Sequence, residues 1–266
     1  ISLSSPNLAS EIDEACRTVG FFRLTDHGVP PELAEQLVSL SRNFFAKSLE
    51  EKLEWSMEKY GRSWRGFFAL GRELTSGRRD AKEGLYLGSE DEDEGFFRGR
   101  NPALTSEWPA VLAAWLGHMR RISCTLVDAM EVALAADLSF MRGRPTELFR
   151  VFHYPPVAAE ADFPWGVGEH TDYGFLTILK GDDAAGLEVR LPESGWVDVP
   201  PTANTFVVNI GDMLARISAG RYQSTAHRVR TQRGSTGRLS FPYFFDPDLD
   251  SSVLGLPYRD YLLSKV

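Results

Sequence analysis

The fold of this chain is decided by two adjoining segments, Gly168-Glu-His-Thr-Asp-Tyr-Gly174 and Phe175-Leu-Thr-Ile-Leu179. The second segment is apolar and contains β-branched residues, which predicts a buried strand. In the first segment, His170 and Asp172 are two positions apart, so an extended backbone turns both side chains to the same face. An imidazole and a carboxylate on one face are ligand types that bind divalent metals. The pair therefore predicts a metal site beside a buried strand.

A second histidine completes the set of ligands from a distance. His227 lies 55 residues after Asp172 (227 − 172), so it reaches the same metal only if the fold joins two distant strands. A double-sheet jelly roll brings distant strands together in this way. Two imidazoles and one carboxylate form the facial triad, which leaves positions open on a non-haem Fe(II) for oxygen chemistry. We therefore expect a jelly-roll core that carries an iron site.

An arginine and a serine follow the second histidine. Arg238 comes 11 residues after His227 (238 − 227), about the length of a strand, a turn and the start of another strand. Arg238 and Ser240 share one face of that strand. A guanidinium fork beside a hydroxyl suits a carboxylate, because two parallel N–H···O bonds fix its position and orientation. The pair predicts a docking point for a small dicarboxylate next to the iron site.

Ordered motifs run along nearly the whole chain. They are Val19-Gly-Phe-Phe-Arg-Leu-Thr-Asp-His-Gly-Val29, Arg150-Val-Phe-His-Tyr-Pro-Pro156, His170-Thr-Asp-Tyr-Gly-Phe-Leu-Thr177, Val207-Val-Asn-Ile-Gly-Asp-Met-Leu214, Ser224-Thr-Ala-His-Arg-Val229 and Arg238-Leu-Ser-Phe-Pro-Tyr-Phe-Phe-Asp-Pro247. In this order they resemble the isopenicillin N synthase-like family of 2-oxoglutarate and Fe(II)-dependent dioxygenases. The resemblance implies oxidation of a C–H bond of a small-molecule metabolite, most simply a hydroxylation, with release of succinate and CO2.

The resemblance also implies a set of site residues and cofactors. The residues implied to bind iron are His170, Asp172 and His227. The cosubstrate 2-oxoglutarate is held by Arg238 and Ser240 at its distal carboxylate and by Tyr154, which donates a hydrogen bond. The oxidant is O2, and ascorbate is a candidate reductant. Asn209 and Asp212 match a family block that we interpret as structural turn chemistry.

Length and composition restrict the class of protein. A chain of 266 residues is long enough for one all-β or α+β domain with a large core. The formal net charge of −8 argues against nucleic acid as a partner, which needs a basic face. No apolar run approaches the ~20 residues of a membrane span, so no membrane partner is expected. The two cysteines provide no disulfide framework and fit a reducing compartment, so we expect a cytoplasmic protein. The family resemblance implies a monomer.

The chain changes character near residue 145, and we interpret it as a single domain, 1–266, with two parts. Residues 1–145 form an N-terminal helical layer, with helices expected over residues 7–18, from residue 30, after a capping box at residues 48–51, and over residues 106–138. Residues 146–266 show short strands separated by Pro, Gly and Asp turns and form the jelly-roll core. The fold class is thus mainly β with an α layer, a double-stranded β-helix flanked by N-terminal helices.

The substrate wall is predicted from the aromatic and glycine-rich segments at residues 64–68 and 82–87. Phe67 and Tyr86 are the candidate wall residues, and Arg65 is a candidate anchor for an acidic substrate. Two other functions remain open. One is an iron oxidase of the same fold that uses O2 without 2-oxoglutarate, with or without ascorbate. The other is a jelly-roll binding protein that has lost catalysis. Release of succinate distinguishes the dioxygenase from both.

Overall fold

The computed structural model describes residues 1–92 and 95–265. Its strands, in chain order, are β1 (Phe21–Leu24), β2 (Gly66–Phe68), β3 (Leu74–Thr75), β4 (Arg78–Arg79), β5 (Glu83–Leu87), β6 (Thr146–Tyr154), β7 (Trp165–His170), β8 (Leu176–Gly181), β9 (Leu187–Leu191), β10 (Gly195–Asp198), β11 (Phe206–Ile210), β12 (His227–Arg230), β13 (Arg238–Asp246), β14 (Ser252–Val253) and β15 (Leu256–Pro257). The α-helices are α1 (Leu8–Thr18), α2 (Pro31–Phe45), α3 (Leu49–Leu53), α4 (Trp108–Leu134), α5 (Asp212–Ile217) and α6 (Tyr258–Leu263). Short 3-10 helices cover Met57–Ser63 and Ser139–Met141.

Two antiparallel sheets form the jelly-roll core. The larger sheet has the strand order β1-β11-β8-β13-β6-β5-β2, and the smaller sheet has the order β10-β9-β12-β7. Strands β6 and β13 at the centre of the larger sheet are buried along most of their length, because both of their faces are covered. The expected jelly roll is confirmed, and His227 and Arg238 begin two successive strands of it, as their spacing predicts.

Helices cover the outer face of the larger sheet. Helix α4 packs against α1 and α2 and against strands β8 and β13. Its buried stripe is Trp108, Leu112, Trp115, Leu116, Met119, Ile122, Leu126, Val127 and Met130, which matches the helical period expected from the sequence. One continuous apolar core joins these residues to the helix-facing side chains of the sheet. The cavity that holds the candidate site lies on the opposite face of that sheet.

Local signals in the N-terminal region predict several elements correctly. The capping box is present, since Ser48 Oγ accepts a hydrogen bond from the Glu51 amide at 3.2 Å and a Glu51 carboxylate oxygen accepts one from the Ser48 amide at 2.8 Å. The region is more than a helical layer, however, because β1, β2 and β5 extend the larger sheet. Strand β5 pairs with β6 and β1 pairs with β11. Among the described residues, no helix is both long enough and apolar enough to span a membrane.

Candidate functional site

The two histidines of the predicted triad meet across a strand pair. His170 ends β7, His227 begins β12, and the two are direct partners in the antiparallel register. Their ring centroids are 4.2 Å apart. Asp172 lies two residues beyond the end of β7, in the loop before β8, rather than on the strand itself. The loop still turns its carboxylate toward the imidazoles, and the ligand atoms of all three residues lie within 4.8 Å of one another.

Backbone carbonyls orient both imidazoles. The Nδ1 of His170 lies 2.8 Å from the Gly168 carbonyl oxygen, and the Nδ1 of His227 lies 3.1 Å from that of Thr225. A proton on each Nδ1 satisfies these contacts and leaves the Nε2 lone pair free. The two Nε2 atoms are 3.9 Å and 3.7 Å from one oxygen of Asp172. Burial, with repulsion from His227, lowers the pKa of His170 to about 4, which keeps this imidazole neutral and able to act as a ligand.

The second oxygen of Asp172 is already occupied. It accepts hydrogen bonds from Thr177 Oγ1 and Asn209 Nδ2, each at 2.6 Å. Burial opposes ionisation of this carboxyl, but His227, His170 and these two donors together lower its pKa. One oxygen is thus held by the protein and the other faces the histidines. The sequence interpretation of Asn209 as turn chemistry missed this contact, although its position on β11 opposite Thr177 on β8 places both donors side by side.

The loop that carries Asp172 is fixed by close packing around Gly174. A Cβ at this position would overlap the Asp246 carboxylate, so only glycine fits there. Asp246 in turn accepts a hydrogen bond from the Phe175 amide at 2.6 Å. The Asp172 carbonyl oxygen accepts a hydrogen bond from the Asp212 amide at 2.8 Å. These contacts position the carboxylate that lies outside the strand.

The predicted carboxylate-binding pair lies on the central strands of the larger sheet. Arg238 on β13 is the direct partner of Tyr154 on β6, and its guanidinium carbon lies 4.9 Å from the centre of that ring. Ser240 Oγ lies 3.5 Å from the Tyr154 hydroxyl. Arg238 is 3% exposed, and its Nε and Nη1 atoms have no hydrogen-bond partner among the described residues. A buried guanidinium with free N–H groups is prepared to receive an anion.

A cavity of about 510 Å³ joins the triad to these residues. All six residues expected to bind iron or cosubstrate line it: His170, Asp172, His227, Arg238, Ser240 and Tyr154. The rest of its wall includes Trp64, Tyr86, Phe97, Leu148, Arg150, Phe152, Phe244 and Leu262, with Glu73 and Lys82. The cavity therefore has room for a second small molecule beside a cosubstrate. Tyr86, one of the three predicted substrate residues, lies in this wall.

The other two predicted substrate residues do not reach the cavity. Phe67 pairs with Leu85, whereas Tyr86 pairs with Gly66, so alternation along the strands puts Phe67 and Tyr86 on opposite faces. Phe67 packs in the helical core, 5.9 Å from the Phe44 ring centre. This corrects the expectation that Phe67 walls the substrate site.

Arg65 has a structural position rather than a place in the cavity wall. It is 1% exposed and donates hydrogen bonds to the Leu87 carbonyl oxygen at 2.8 Å and the Phe97 carbonyl oxygen at 3.1 Å. Burial, with repulsion from Arg150, lowers the pKa of Arg65 to about 9. Its guanidinium is hydrogen-bonded to backbone carbonyl oxygens and does not line the cavity. This corrects the expectation that Arg65 anchors a substrate.

Known proteins are similar to this chain in sequence and in structure. The profile of the 2OG-Fe(II) oxygenase superfamily matches residues 145–247, and the profile of the non-haem dioxygenase in morphine synthesis N-terminal region matches residues 2–110. A Dictyostelium discoideum protein named a probable iron/ascorbate oxidoreductase is 37% identical over 278 residues, which cover 92% of this chain and 76% of the relative. Homoarginine-6-hydroxylase 2-ODD-233 of Oryza sativa subsp. japonica is 32% identical over 258 residues, which cover 91% of this chain and 78% of the relative.

Solved structures agree with these relatives. The crystal structure of a full-length Neurospora crassa protein in complex with alpha-KG matches with a TM-score of 0.84 at 27% identity and covers 97% of this chain and 89% of that one. The complex of the same Neurospora crassa protein with alpha-KG and thymine matches with a TM-score of 0.80 at 28% identity, over 94% and 83% of the two chains. The family and reaction class expected from the motifs are confirmed. The chain belongs to the 2OG-Fe(II) oxygenase superfamily and is a 2-oxoglutarate- and Fe(II)-dependent dioxygenase, an oxidoreductase that acts on small molecules.

Proposed function

We propose that His170, Asp172 and His227 hold the Fe(II) of this dioxygenase. Two imidazoles and one carboxylate oxygen converge there, and the set leaves positions free for other ligands. The backbone carbonyls behind each imidazole fix its tautomer, and Thr177 and Asn209 restrict Asp172 to one ligating oxygen. Bound Fe(II) supplies the activation of O2 that couples oxidative decarboxylation of 2-oxoglutarate to oxidation of a substrate C–H bond.

The assignment of the cosubstrate pocket rests on the unpaired nitrogens of Arg238. A guanidinium that is buried without an anion is unfavourable, and a carboxylate with two oxygens can accept from its free N–H groups. The Ser240 and Tyr154 hydroxyls lie 3.5 Å apart in the same cavity as Arg238, and each can donate to the same carboxylate. These residues bind and orient the distal carboxylate of 2-oxoglutarate, and the surrounding burial excludes water from it.

The substrate is a small molecule that occupies the rest of the cavity, and hydroxylation is the expected outcome. The test is to supply Fe(II), 2-oxoglutarate and O2 with a panel of metabolites. The panel includes thymine and homoarginine, after the Neurospora crassa complex and the rice relative. Succinate and the product mass are measured together, with and without ascorbate because of the name of the Dictyostelium relative. Succinate formation should depend on Fe(II) and should rise with the correct substrate.

Ligand variants make this test specific. His170→Ala, Asp172→Ala and His227→Ala should each reduce succinate formation to background while far-UV circular dichroism stays unchanged. His118→Ala is the matched control, because this histidine lies on α4, outside the cavity lining. Wild-type turnover in any of the three ligand variants would reject the iron assignment.

We further propose that the chain works as a cytoplasmic monomer and unfolds as one domain. Its two cysteines are free thiols, which suits a reducing compartment. The N-terminal strands are part of the larger sheet, which ties the two regions of the chain together. Size-exclusion chromatography with light scattering tests the first statement, cell fractionation tests the location, and a single coincident unfolding transition by two probes tests the last.

A further inference from the structure

Strand β6 presents a row of side chains to the cavity. Leu148, Arg150, Phe152 and Tyr154 alternate along the strand and all line the cavity, whereas Phe149 and Val151 face the helical core. Arg150 is four residues from Tyr154, or roughly 13 Å along an extended strand. Tyr154 is the register partner of Arg238. Arg150 therefore lies at the end of the cavity away from the cosubstrate pocket.

Arg150 is a buried cation without an ion pair among residues 1–92 and 95–265. It is 5% exposed, its Nη1 donates a hydrogen bond to the Phe149 carbonyl oxygen at 3.3 Å, and its Cζ lies 3.6 Å from the centre of the Tyr86 ring. The Tyr86 side chain also interacts with the guanidinium by hydrogen bonding. A buried charge is costly unless an opposite charge pairs with it. Burial accordingly lowers the pKa of the Arg150 guanidinium.

Glu73 is the carboxylate that attracts the Arg150 guanidinium, but other groups already bind it. Glu73 attracts the guanidinium through space, but Lys82 Nζ lies 3.0 Å from the Glu73 carboxylate and the Tyr86 hydroxyl donates a hydrogen bond to it. Lys82 is also 2.8 Å from Asp80, so this neighbouring cation has two acidic partners. Of these two cations in the cavity wall, Arg150 is the one that has no carboxylate within ion-pair distance among the described residues.

The guanidinium of Arg150 is held in one orientation. Its carbon lies over the Tyr86 ring, and the hydrogen bond from the Tyr86 hydroxyl to Glu73 fixes that ring. Arg65 lies close enough for the two positive charges to repel each other, and Arg65 is tied to backbone carbonyls and cannot move away. An oriented fork without a direct ion pair fits a carboxylate, because two N–H groups can bind its two oxygens together.

The wall around Arg150 is mainly apolar and aromatic. Trp64, Phe97, Leu148, Phe244 and Leu262 line this end of the cavity, and they belong to one apolar cluster. Such surfaces gain free energy by covering an apolar ligand, which a small polar dicarboxylate would not supply. The wall therefore complements a molecule that has one anionic end and an apolar body.

We propose that Arg150 binds the carboxylate of the substrate, and that the substrates of this enzyme are carboxylic acids with an apolar or aromatic body. The inference rests on the proposed function, since it takes the cavity beside the triad as the substrate site. Arg150 is then the residue that determines specificity, while Arg238 serves the cosubstrate. The two cations at opposite ends of the cavity keep two different carboxylates apart.

The experiment compares acids with their uncharged counterparts. Protein loaded with Fe(II) and saturated with 2-oxoglutarate under argon is titrated in a calorimeter with hexanoate, phenylacetate and 4-phenylbutanoate, and with the primary amide of each. At least one acid should bind about 10- to 100-fold more tightly than its amide, as expected for a charge-assisted hydrogen-bonded pair. In Arg150→Gln this preference should fall to about one-fold. Arg150→Lys should keep part of it, because the charge remains and the fork is lost.

The surface variant Arg17→Gln is the control, because Arg17 lies on α1, outside the cavity lining, and should keep the wild-type preference. The acid and its amide are titrated into the same preparation, so the ratio of their affinities does not depend on how much of the protein is active. The proposal is overturned if no acid binds better than its amide, or if Arg150→Gln keeps the wild-type ratio.

A separate titration of 2-oxoglutarate into the Fe(II)-loaded protein tests the proposed function alone. Loss of that binding with an intact acid preference would reject the cosubstrate pocket and not the role of Arg150.

Discussion

The two carboxylate oxygens of Asp172 have separate roles. One faces the Nε2 atoms of His170 and His227, while the other accepts hydrogen bonds from Thr177 and Asn209. Residues that hold a metal ligand in this way usually change metal affinity by 10- to 100-fold when they are replaced. Asn209 is therefore a positioning residue for the proposed iron site, because it holds the Asp172 carboxylate without being one of the three proposed ligands.

Asn209→Ala should lower Fe(II) affinity by about 10- to 100-fold and leave the affinity for 2-oxoglutarate at saturating iron nearly unchanged. The reason is that the Asp172 carboxylate loses one donor and gains freedom to rotate. Fe(II) titration of the apoprotein under argon measures the first quantity. Thr177→Val removes the other donor and should have a similar effect. Equal iron affinity in wild type and both variants would show that the hydrogen bonds do not position Asp172.

Arg238 gives a prediction about the cosubstrate. Arg238→Ala removes a charged hydrogen-bonding fork and should raise the apparent KM for 2-oxoglutarate by roughly 10- to 100-fold, or about 1.5–3 kcal/mol. Arg238→Lys should recover only part of the loss, since one ammonium cannot replace a bidentate fork. Ser240→Ala should cost less, because it removes one neutral hydroxyl. An unchanged KM in Arg238→Ala would show that this arginine does not hold the cosubstrate.

At the level of elements, the last residue of β13 packs against the loop between β7 and β8 and forms a hydrogen bond with it. Asp246, the last residue of β13, contacts Gly174 and accepts a hydrogen bond from the Phe175 amide. Burial raises the pKa of Asp246 to about 7. The carboxyl is thus protonated in the folded protein over a range in which an unfolded chain would have ionised it.

This shift predicts a pH dependence of stability. Between about pH 4 and about pH 7 the folded state binds more protons at Asp246 than the unfolded state does, so the free energy of unfolding falls as the pH rises through this range. Asp246→Asn keeps the shape without the titration and should flatten this part of the profile. Urea unfolding of both metal-free proteins at several pH values measures the difference. Parallel profiles would show that Asp246 ionises alike in both states.

For the molecule as a whole, α4 supports the sheet from the face opposite the cavity. Ile122 in this helix is fully buried in the main core, whereas Val132 near the end of the same helix is 73% exposed. Ile122→Ala should lower the free energy of unfolding by about 2–5 kcal/mol, because it leaves a cavity in the core. Val132→Ala should change it by less than about 0.5 kcal/mol.

The Ile122→Ala prediction also concerns the kinetic constants of the enzyme. Below its unfolding temperature, the Ile122→Ala protein should keep wild-type KM values for 2-oxoglutarate and substrate, since the helix does not line the cavity. Thermal unfolding and steady-state kinetics on the same preparation check both parts. A large rise in either KM would mean that α4 packing transmits strain to the cavity side of the sheet.

The sequence alone determined those features that depend on side-chain chemistry or on residues close together in the chain. The ligand chemistry of His170, Asp172 and His227 and the fork chemistry of Arg238 are properties of the side chains and need no fold. Helix signals such as the capping box at Ser48 depend on neighbouring residues and were confirmed. The apolar stripe of α4 depends on the 3.6-residue period alone and was likewise found.

Only the tertiary structure decided which distant groups meet and which face of a strand the cavity occupies. Alternation separates Phe67 from Tyr86 but does not say which of them faces the cavity, and sheet pairing put Phe67 in the helical core. Asn209 reaches Asp172 because β11 pairs with β8, a contact between residues far apart in sequence. The lack of a direct ion pair at Arg150 likewise follows from which acids the fold brings near it. Such pairings depend on long-range packing, which the local sequence pattern does not encode.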